Sequence, residues 1–315
     1  ANPQYIVAGT YYEGLYVSFD SGQNWSYRIA TNVPVPFVAY DPWLVNKLFA
    51  LVGDSYSAGL HTSDDFGNTW NVVNFVQYPR RMGFDPINPG YIYICFPDGI
   101  MTSQDYGQNV SFANNGLPGL NILDVKGDGI NQNEAYAVGE TFIAHTTDFG
   151  NNWTDLGGNF GIEDYNPSRI EFEPNGPETL YVACWAFLAR SFDRGANWEF
   201  TATSTQDNVA IACDPNEAGI LYIGSHGGGV FKSTDAGASF TSINDNLGDL
   251  NVRCLEIDSY GNLLAGTNNG VYICRYTPIP TLSEWGMIIL SLLLLAAGTI
   301  CIIRRRKAVT AKEVR

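Results

Sequence analysis

The chain has 315 residues, 45% hydrophobic and 13% aromatic, enough to bury the core of one large domain or two small ones and to exclude disorder as its main state. Only 16% are charged, while Gly, Pro, Tyr and Trp are plentiful, a balance that favours short strands and tight turns and reads as all-β. The net charge of −15 divides into −19 for residues 1–280 and +4 for 281–315. The acidic part repels phosphates and anionic headgroups, which excludes nucleic acid as a partner and makes any electrostatically steered partner basic.

In chain order, residues 5–8 and 14–17 read as two strands that lead into a turn. A strand stopped by Asp-Pro or Glu-Pro then recurs at 38–42, 82–86, 170–174 and 211–215. A second strand follows at 47–51, 91–94, 134–138, 179–182 and 220–223, and a third, such as 229–233, runs into the turn again. Residues 262–265 and 270–274 are the last such pair. Short alternating runs between Asp-Pro, Asn and Gly turns are strands joined by hairpins.

The turns share one pattern: Ser18-x-Asp20-x-Gly22-x-x-Trp25, Ser63-x-Asp65-x-Gly67-x-x-Trp70, Ser103-x-Asp105-x-Gly107-x-x-Val110, Thr146-x-Asp148-x-Gly150-x-x-Trp153, Ser191-x-Asp193-x-Gly195-x-x-Trp198 and Ser233-x-Asp235-x-Gly237-x-x-Phe240. Their aspartates lie 45, 40, 43, 45 and 42 residues apart, and a period near that length with four short strands per unit is the mark of propeller blades. Second and third strands occur seven times, first and fourth strands six times. Seven blades with a ragged closure fit this count, and six with an extra hairpin are the alternative.

The turn resembles the Asp-box of the BNR-repeat family, and the chain is similar to photosystem II assembly and stability factors and to sortilin-type propellers. The resemblance implies a structural role: the acid and hydroxyl bond backbone N–H groups, Gly takes the positive φ, and the aromatic pins the hairpin. It also implies that the boxes lie away from the central channel where ligands bind, so no catalytic residue is expected among them.

Asp-box propellers include sialidases and endoglucanases. A sialidase clamps its substrate carboxylate with three arginines; residues 1–280 hold eight, and Tyr27-Arg28-Ile29-Ala30 resembles the sialidase string only in part. Glu163, Asp164, Glu171, Glu173 and Asp54 are candidate glycosidase carboxylates, read as solvated turn or loop acids. Asp124, Asp128 and Asn131 form a weak calcium candidate, with Lys126 in the way of an EF-hand reading; no other metal and no cofactor are expected. His61, His145 and His226 fall at similar places in three blades and read as packing or surface residues, and His226-Gly227-Gly228-Gly229 as a strand connection. Cys95, Cys184, Cys213, Cys254 and Cys274 lack metal-site spacing and read as small buried hydrophobes.

Residues 286–303 carry no charge and at ~1.5 Å per residue match a bilayer core, which predicts one transmembrane helix. Arg304, Arg305, Arg306 and Lys307 follow it, placing that end in the cytoplasm, with Trp285 in the interface. Ile279-Pro280-Thr281-Leu282-Ser283-Glu284-Trp285-Gly286, then the apolar run and the arginines, resemble the bacterial IPTL-type C-terminal sorting signal. That resemblance implies a Gram-negative envelope protein. The first residue is Ala1, not Met, as expected after removal of a secretory signal peptide.

The expected organisation is a propeller at 1–276, a linker at 277–284, a membrane helix at 285–303 and a basic tail at 304–315. A rigid acidic disc held near a membrane is expected to be a non-catalytic accessory, stabilising or docking subunit of an inner-membrane complex. Its expected partners are the bilayer and membrane proteins such as reaction-centre, antenna or cytochrome subunits. The alternatives are a carbohydrate-binding or glycan-hydrolysing surface propeller and a released adhesin.

Overall fold

The computed structural model describes residues 5–29, 32–53, 58–75, 78–156, 166–174, 176–258 and 260–275. The apolar segment, Trp285 and the basic cluster at 304–307 lie outside the described residues, as do Asp54, Glu163 and Asp164.

Among the described residues, twenty-six strands form seven antiparallel meanders, the blades of one propeller. Blade 1 is β1 (Ile6–Gly9), β2 (Leu15–Ser18) and β3 (Ser26–Ile29), and blade 2 is β4 (Phe37–Tyr40), β5 (Leu48–Gly53), β6 (Ala58–Ser63) and β7 (Asn71–Phe75). Blade 3 is β8 (Arg81–Phe84), β9 (Ile92–Phe96), β10 (Gly99–Ser103) and β11 (Ser111–Phe112). Blade 4 is β12 (Ile122–Gly127), β13 (Ala135–Gly139), β14 (Ile143–Thr146) and β15 (Thr154–Asp155). Blade 5 is β16 (Pro167–Glu173), β17 (Gly176–Cys184), β18 (Phe187–Ser191) and β19 (Glu199–Ala202). Blade 6 is β20 (Asn208–Cys213), β21 (Leu221–Ser225), β22 (Gly229–Ser233) and β23 (Thr241–Ser242), and blade 7 is β24 (Val252–Ile257), β25 (Leu263–Thr267) and β26 (Gly270–Cys274).

Among the described residues blade 1 lacks the first strand and blade 7 the fourth, the shortfall that the strand count implies. Second strands β5, β9, β13 and β21 are buried along their whole length, because neighbouring blades cover both faces and leave no polar side to the alternation. Six apolar clusters fill the spaces between consecutive blades from 1 to 7. The remaining seam brings Ile6 and Ser21 of blade 1 against Leu264 and Ile273 of blade 7 around a cleft of about 60 Å³.

The repeated turn has one hydrogen-bond plan. Ser18 Oγ donates to Asp20 Oδ1 at 2.9 Å and accepts from Gly22 N at 2.8 Å, while Asp20 Oδ1 accepts from Asn24 N at 2.8 Å. The same bonds recur around Asp65, Asp105, Asp148, Asp193 and Asp235. Trp25 and Trp70 donate Nε1 to the glycine carbonyl of their own turn, whereas Trp153 donates to Ala113 O of blade 3 at 2.8 Å.

The resemblance implied that Gly takes the positive φ, but Gly is not alone in the left-handed region. The residue before it also has positive φ in every turn: Ser21, Phe66, Tyr106, Phe149, Arg194 and Ala236, between 54° and 60°. In four of these turns its side chain meets the preceding blade. Phe66 packs on Tyr5 and Phe19, Tyr106 lies under Lys47 Nζ at 5.0 Å, Phe149 rests on Tyr91 and Tyr93, and Arg194 pairs with Asp128 and Glu134. The strained backbone is thus held by contacts between blades.

The turns and the loops from first to second strands lie on one face of the disc. The hairpins from second to third strands and the loops between blades lie on the other, the hairpin face. First strands surround the channel, and those of blades 4 to 7 shift register near their hairpin-face ends, around Leu123, Ser168, Val209 and Arg253. A bulge there re-aims the side chains that follow.

Candidate functional site

On the hairpin face, Asn166, Ser168, Trp185, Asp207 and Asn208 enclose an open cavity of about 320 Å³ between blades 5 and 6. Trp185 stands at the tip of the β17–β18 hairpin, 46% exposed, with its backbone fixed: its N donates to Asn166 O and its O accepts from Asn208 N, both at 3.2 Å. Asn208 is 1% exposed and donates Nδ2 to Cys184 O at 2.8 Å and to Thr203 Oγ1 at 2.9 Å. Its Oδ1 is buried and makes no hydrogen bond in the structure.

Asp207 has φ +58° and is oriented by a chain of side chains from the next two blades. Its Oδ2 lies 2.6 Å from His226 Nδ1, and His226 Nε2 lies 2.6 Å from Arg253 Nη1. A guanidinium only donates, so Nε2 accepts and Nδ1–H donates to Asp207. Arg253 is itself held by Asn268 Oδ1 at 2.7 Å. A flat indole beside a carboxylate, two amides and a hydroxyl in an open cavity can seat a polar ring with hydroxyls at its edge.

The channel beside this cavity is charged. Equivalent positions of β8, β12, β16 and β24 place Arg81, Asp124, Arg169 and Cys254 at one level, and Lys126, Glu171 and Glu256 lie two residues further along. Solvent reaches Cys254 and Glu256, but protein surrounds them, and charges are felt across the ring. Enclosure raises the Glu256 carboxyl above its ordinary range, with Lys126 of blade 4 pulling against it and Glu171 of blade 5 adding to it. Lys126 Nζ pairs with Glu171 Oε2 at 2.7 Å. Enclosure lowers Arg169 to about 10 and Arg81 adds to that shift, while Asp124 opposes it.

The residues singled out from the sequence scatter. The turn residues Asp20, Asp65, Asp105, Asp148, Asp193 and Asp235 lie on the far face with their glycines and aromatics. Glu171 lines the channel, whereas Glu173 is buried, accepting from Tyr181 Oη at 3.3 Å and Gly219 N at 3.1 Å. The calcium candidate is not supported: Asp124 accepts from Val125 N and Ile170 N, while Asp128 pairs with Arg194 and accepts from Ile130 N and Asn131 N. Those bonds use the oxygens a cation needs. His145 stacks on Tyr136 at 4.3 Å and His61 packs near Trp70, as expected of packing residues, but His226 belongs to the cavity's chain. Cys95, Cys184 and Cys213 are buried, while Cys254 and Cys274 are exposed, which corrects the expectation for those two. Trp185, Asp207, Asn208 and Arg253 carried no signal in the sequence.

A family model described as the IPTL-CTERM motif matches residues 277–307, so the chain carries a C-terminal sorting or anchor motif of the cell envelope. A curated xyloglucanase of Hypocrea jecorina is 25% identical over 162 residues, 43% of this chain and 19% of that protein. The GH74 enzyme of Niastella koreensis superposes with a TM-score of 0.71 at 18% identity, over 87% of this chain and 50% of its own. YCF48 bound to a D1 peptide superposes with a TM-score of 0.65 at 15% identity, over 88% and 98%. The chain thus spans about a fifth of the curated relative and half of the GH74 enzyme, and the two structural likenesses carry the fold alone.

The xyloglucanase likeness contradicts two expectations: that the propeller is a non-catalytic accessory or docking subunit, and that it is not an enzyme. Photosynthetic complex assembly retains only the likeness to YCF48 in fold. The physical reason is the distribution of the site: the cavity and its orienting chain draw on blades 5, 6 and 7, which no local motif reveals.

Proposed function

We propose that this chain is a glycan-acting propeller of the bacterial envelope that binds and hydrolyses a polysaccharide with a β-linked glucan backbone, as a glycoside hydrolase does. The observation that carries the reading is the cavity in which Trp185, Asn208 and Asp207 converge. Trp185 provides the platform for a sugar ring, and the half-exposed Asp207 carboxylate the acceptor for one of its hydroxyls. Asp207, held by His226, supplies one of the two carboxyl groups that glycoside hydrolysis uses. The xyloglucanase relative supports this substrate class. The apolar segment at 286–303 and the arginines after it support a single-pass anchor with the propeller outside the cytoplasm.

The full chain in detergent, tested on xyloglucan, is expected to bind it and to release reducing ends. Trp185→Ala weakens binding at least about tenfold, the loss of one aromatic anchor. Asp207→Asn abolishes release while binding persists. A full chain that neither binds nor cleaves the polymer, or a Trp185→Ala variant that binds unchanged, would refute the proposal.

A further inference from the structure

Two guanidinium groups meet in the channel, and among the described residues neither closes an ion pair with an acid. Arg81 on β8 and Arg169 on β16 flank blade 4, whose Asp124 stands between them at the same level of the ring. Asp124 is already engaged: Val125 N donates to Oδ1 at 3.0 Å and Ile170 N to Oδ2 at 3.1 Å. Arg169 donates Nη1 to the adjacent Ser168 O at 2.6 Å. Among the described residues, no ion pair involves either arginine; the arginines that do pair with acids are Arg190 and Arg194. Enclosure and then Arg81 lower Arg169, and Asp124 pulls the other way without reversing the shift. Level with them on blade 7 is Cys254, which feels both arginines.

A planar guanidinium presents a donor fork matched to an oxyanion, and two forks in an enclosed channel hold a carboxylate far better than a neutral hydroxyl. The pair also has a place relative to the cavity, because Arg169 follows Ser168, one of the cavity's walls.

We infer that Arg81 and Arg169 form a carboxylate-binding site, and that the polysaccharide handled here bears carboxylated sugars of the uronate type. The inference rests on the glycan reading above and narrows it to acidic polymers. The −19 charge of residues 1–280 opposes such a polymer at long range, but salt screens that repulsion beyond ~8 Å. Guanidinium–carboxylate contact at ~2.8 Å is not screened in that way.

Two β-glucans that differ in charge provide the test: carboxymethylcellulose and hydroxyethylcellulose, each titrated against the full chain in detergent. The acidic polymer is expected to bind at least tenfold tighter. Arg81→Gln and Arg169→Gln are expected to remove that preference and leave the neutral polymer's affinity in place. If either variant fails to fold, the wild-type protein still decides the matter: glucuronate, but not glucose, slows alkylation of Cys254 while Cys274 reacts as before. Equal affinity for both polymers, a preference that survives the substitutions, or no protection of Cys254 overturns the inference. Binding of the neutral polymer alone removes it and leaves the glycan reading standing; binding of neither polymer removes both.

Discussion

Replacing Gly107 with Ala tests whether the repeated turn joins blades or merely closes a hairpin. Gly107 has φ +85°, and a Cβ there would fall 2.2 Å from Leu60 Cδ2, a buried side chain of the preceding blade. The left-handed backbone costs an L-residue ~1–2 kcal/mol, and an extra methyl in a filled core costs ~1–3 kcal/mol. Together these reach ~2–5 kcal/mol, a large share of the ~5–15 kcal/mol that holds a protein folded. Gly227→Ala is the control: its φ is +79°, but nothing lies within 4 Å of the added Cβ, so only the backbone share of ~1–2 kcal/mol applies. Urea denaturation is expected to show Gly107→Ala as the weaker variant by ~1–3 kcal/mol. Leu60→Ala leaves a cavity that the new methyl partly fills, so the double variant is expected to lose less than the sum of the two single losses. Equal losses for Gly107→Ala and Gly227→Ala, or strict additivity with Leu60→Ala, would refute the inter-blade role.

Two further outcomes follow from the same turns. Arg194→Met strips the partner from Asp128, whose side chain is fully buried, and is expected to cost ~3–5 kcal/mol in urea denaturation; Asp128→Asn in that background recovers part of it, and a loss under 1 kcal/mol would sink the pairing argument. Hydrogen bonds from Ser239 Oγ and N, then Ser233 Oγ, depress Asp235 to about 2, and Asp20, Asp65 and Asp193 are lowered by bonds of the same kind. A depressed carboxyl contributes stability that is full above its unfolded value near ~4 and is lost as pH falls through the folded one. The melting temperature is therefore expected to drop between about pH 4 and pH 2, and a flat profile there would contradict it.

The fold is legible because its repeat writes each blade in local terms. Asp20, Gly22 and Trp25 and their counterparts bond within a few residues of one another, so a short pattern contains the whole turn, and its spacing gives the blade length. What the pattern hides is the residue before the glycine. Phe66, Tyr106, Phe149 and Arg194 share a backbone conformation but not a side-chain type, because each is matched to a different preceding blade. A position that looks variable along the sequence is thereby a fixed joint in space.

The candidate site is illegible for the opposite reason. Trp185 and His226 sit on hairpins, Asp207 on an inter-blade loop and Arg253 on a first strand, with no common pattern, and the ring closes them into one group. Register shifts on the first strands decide which side chains reach the channel, and a shift of one residue reverses inside and outside without any change in composition. The acids therefore read as solvated turn and loop carboxylates, whereas the ring gathers Arg169, Glu171 and Glu256, with Arg81 of blade 3, around one axis. Chemistry in such a propeller resides where the repeat is broken, and the blades that keep the repeat hold those breaks in place.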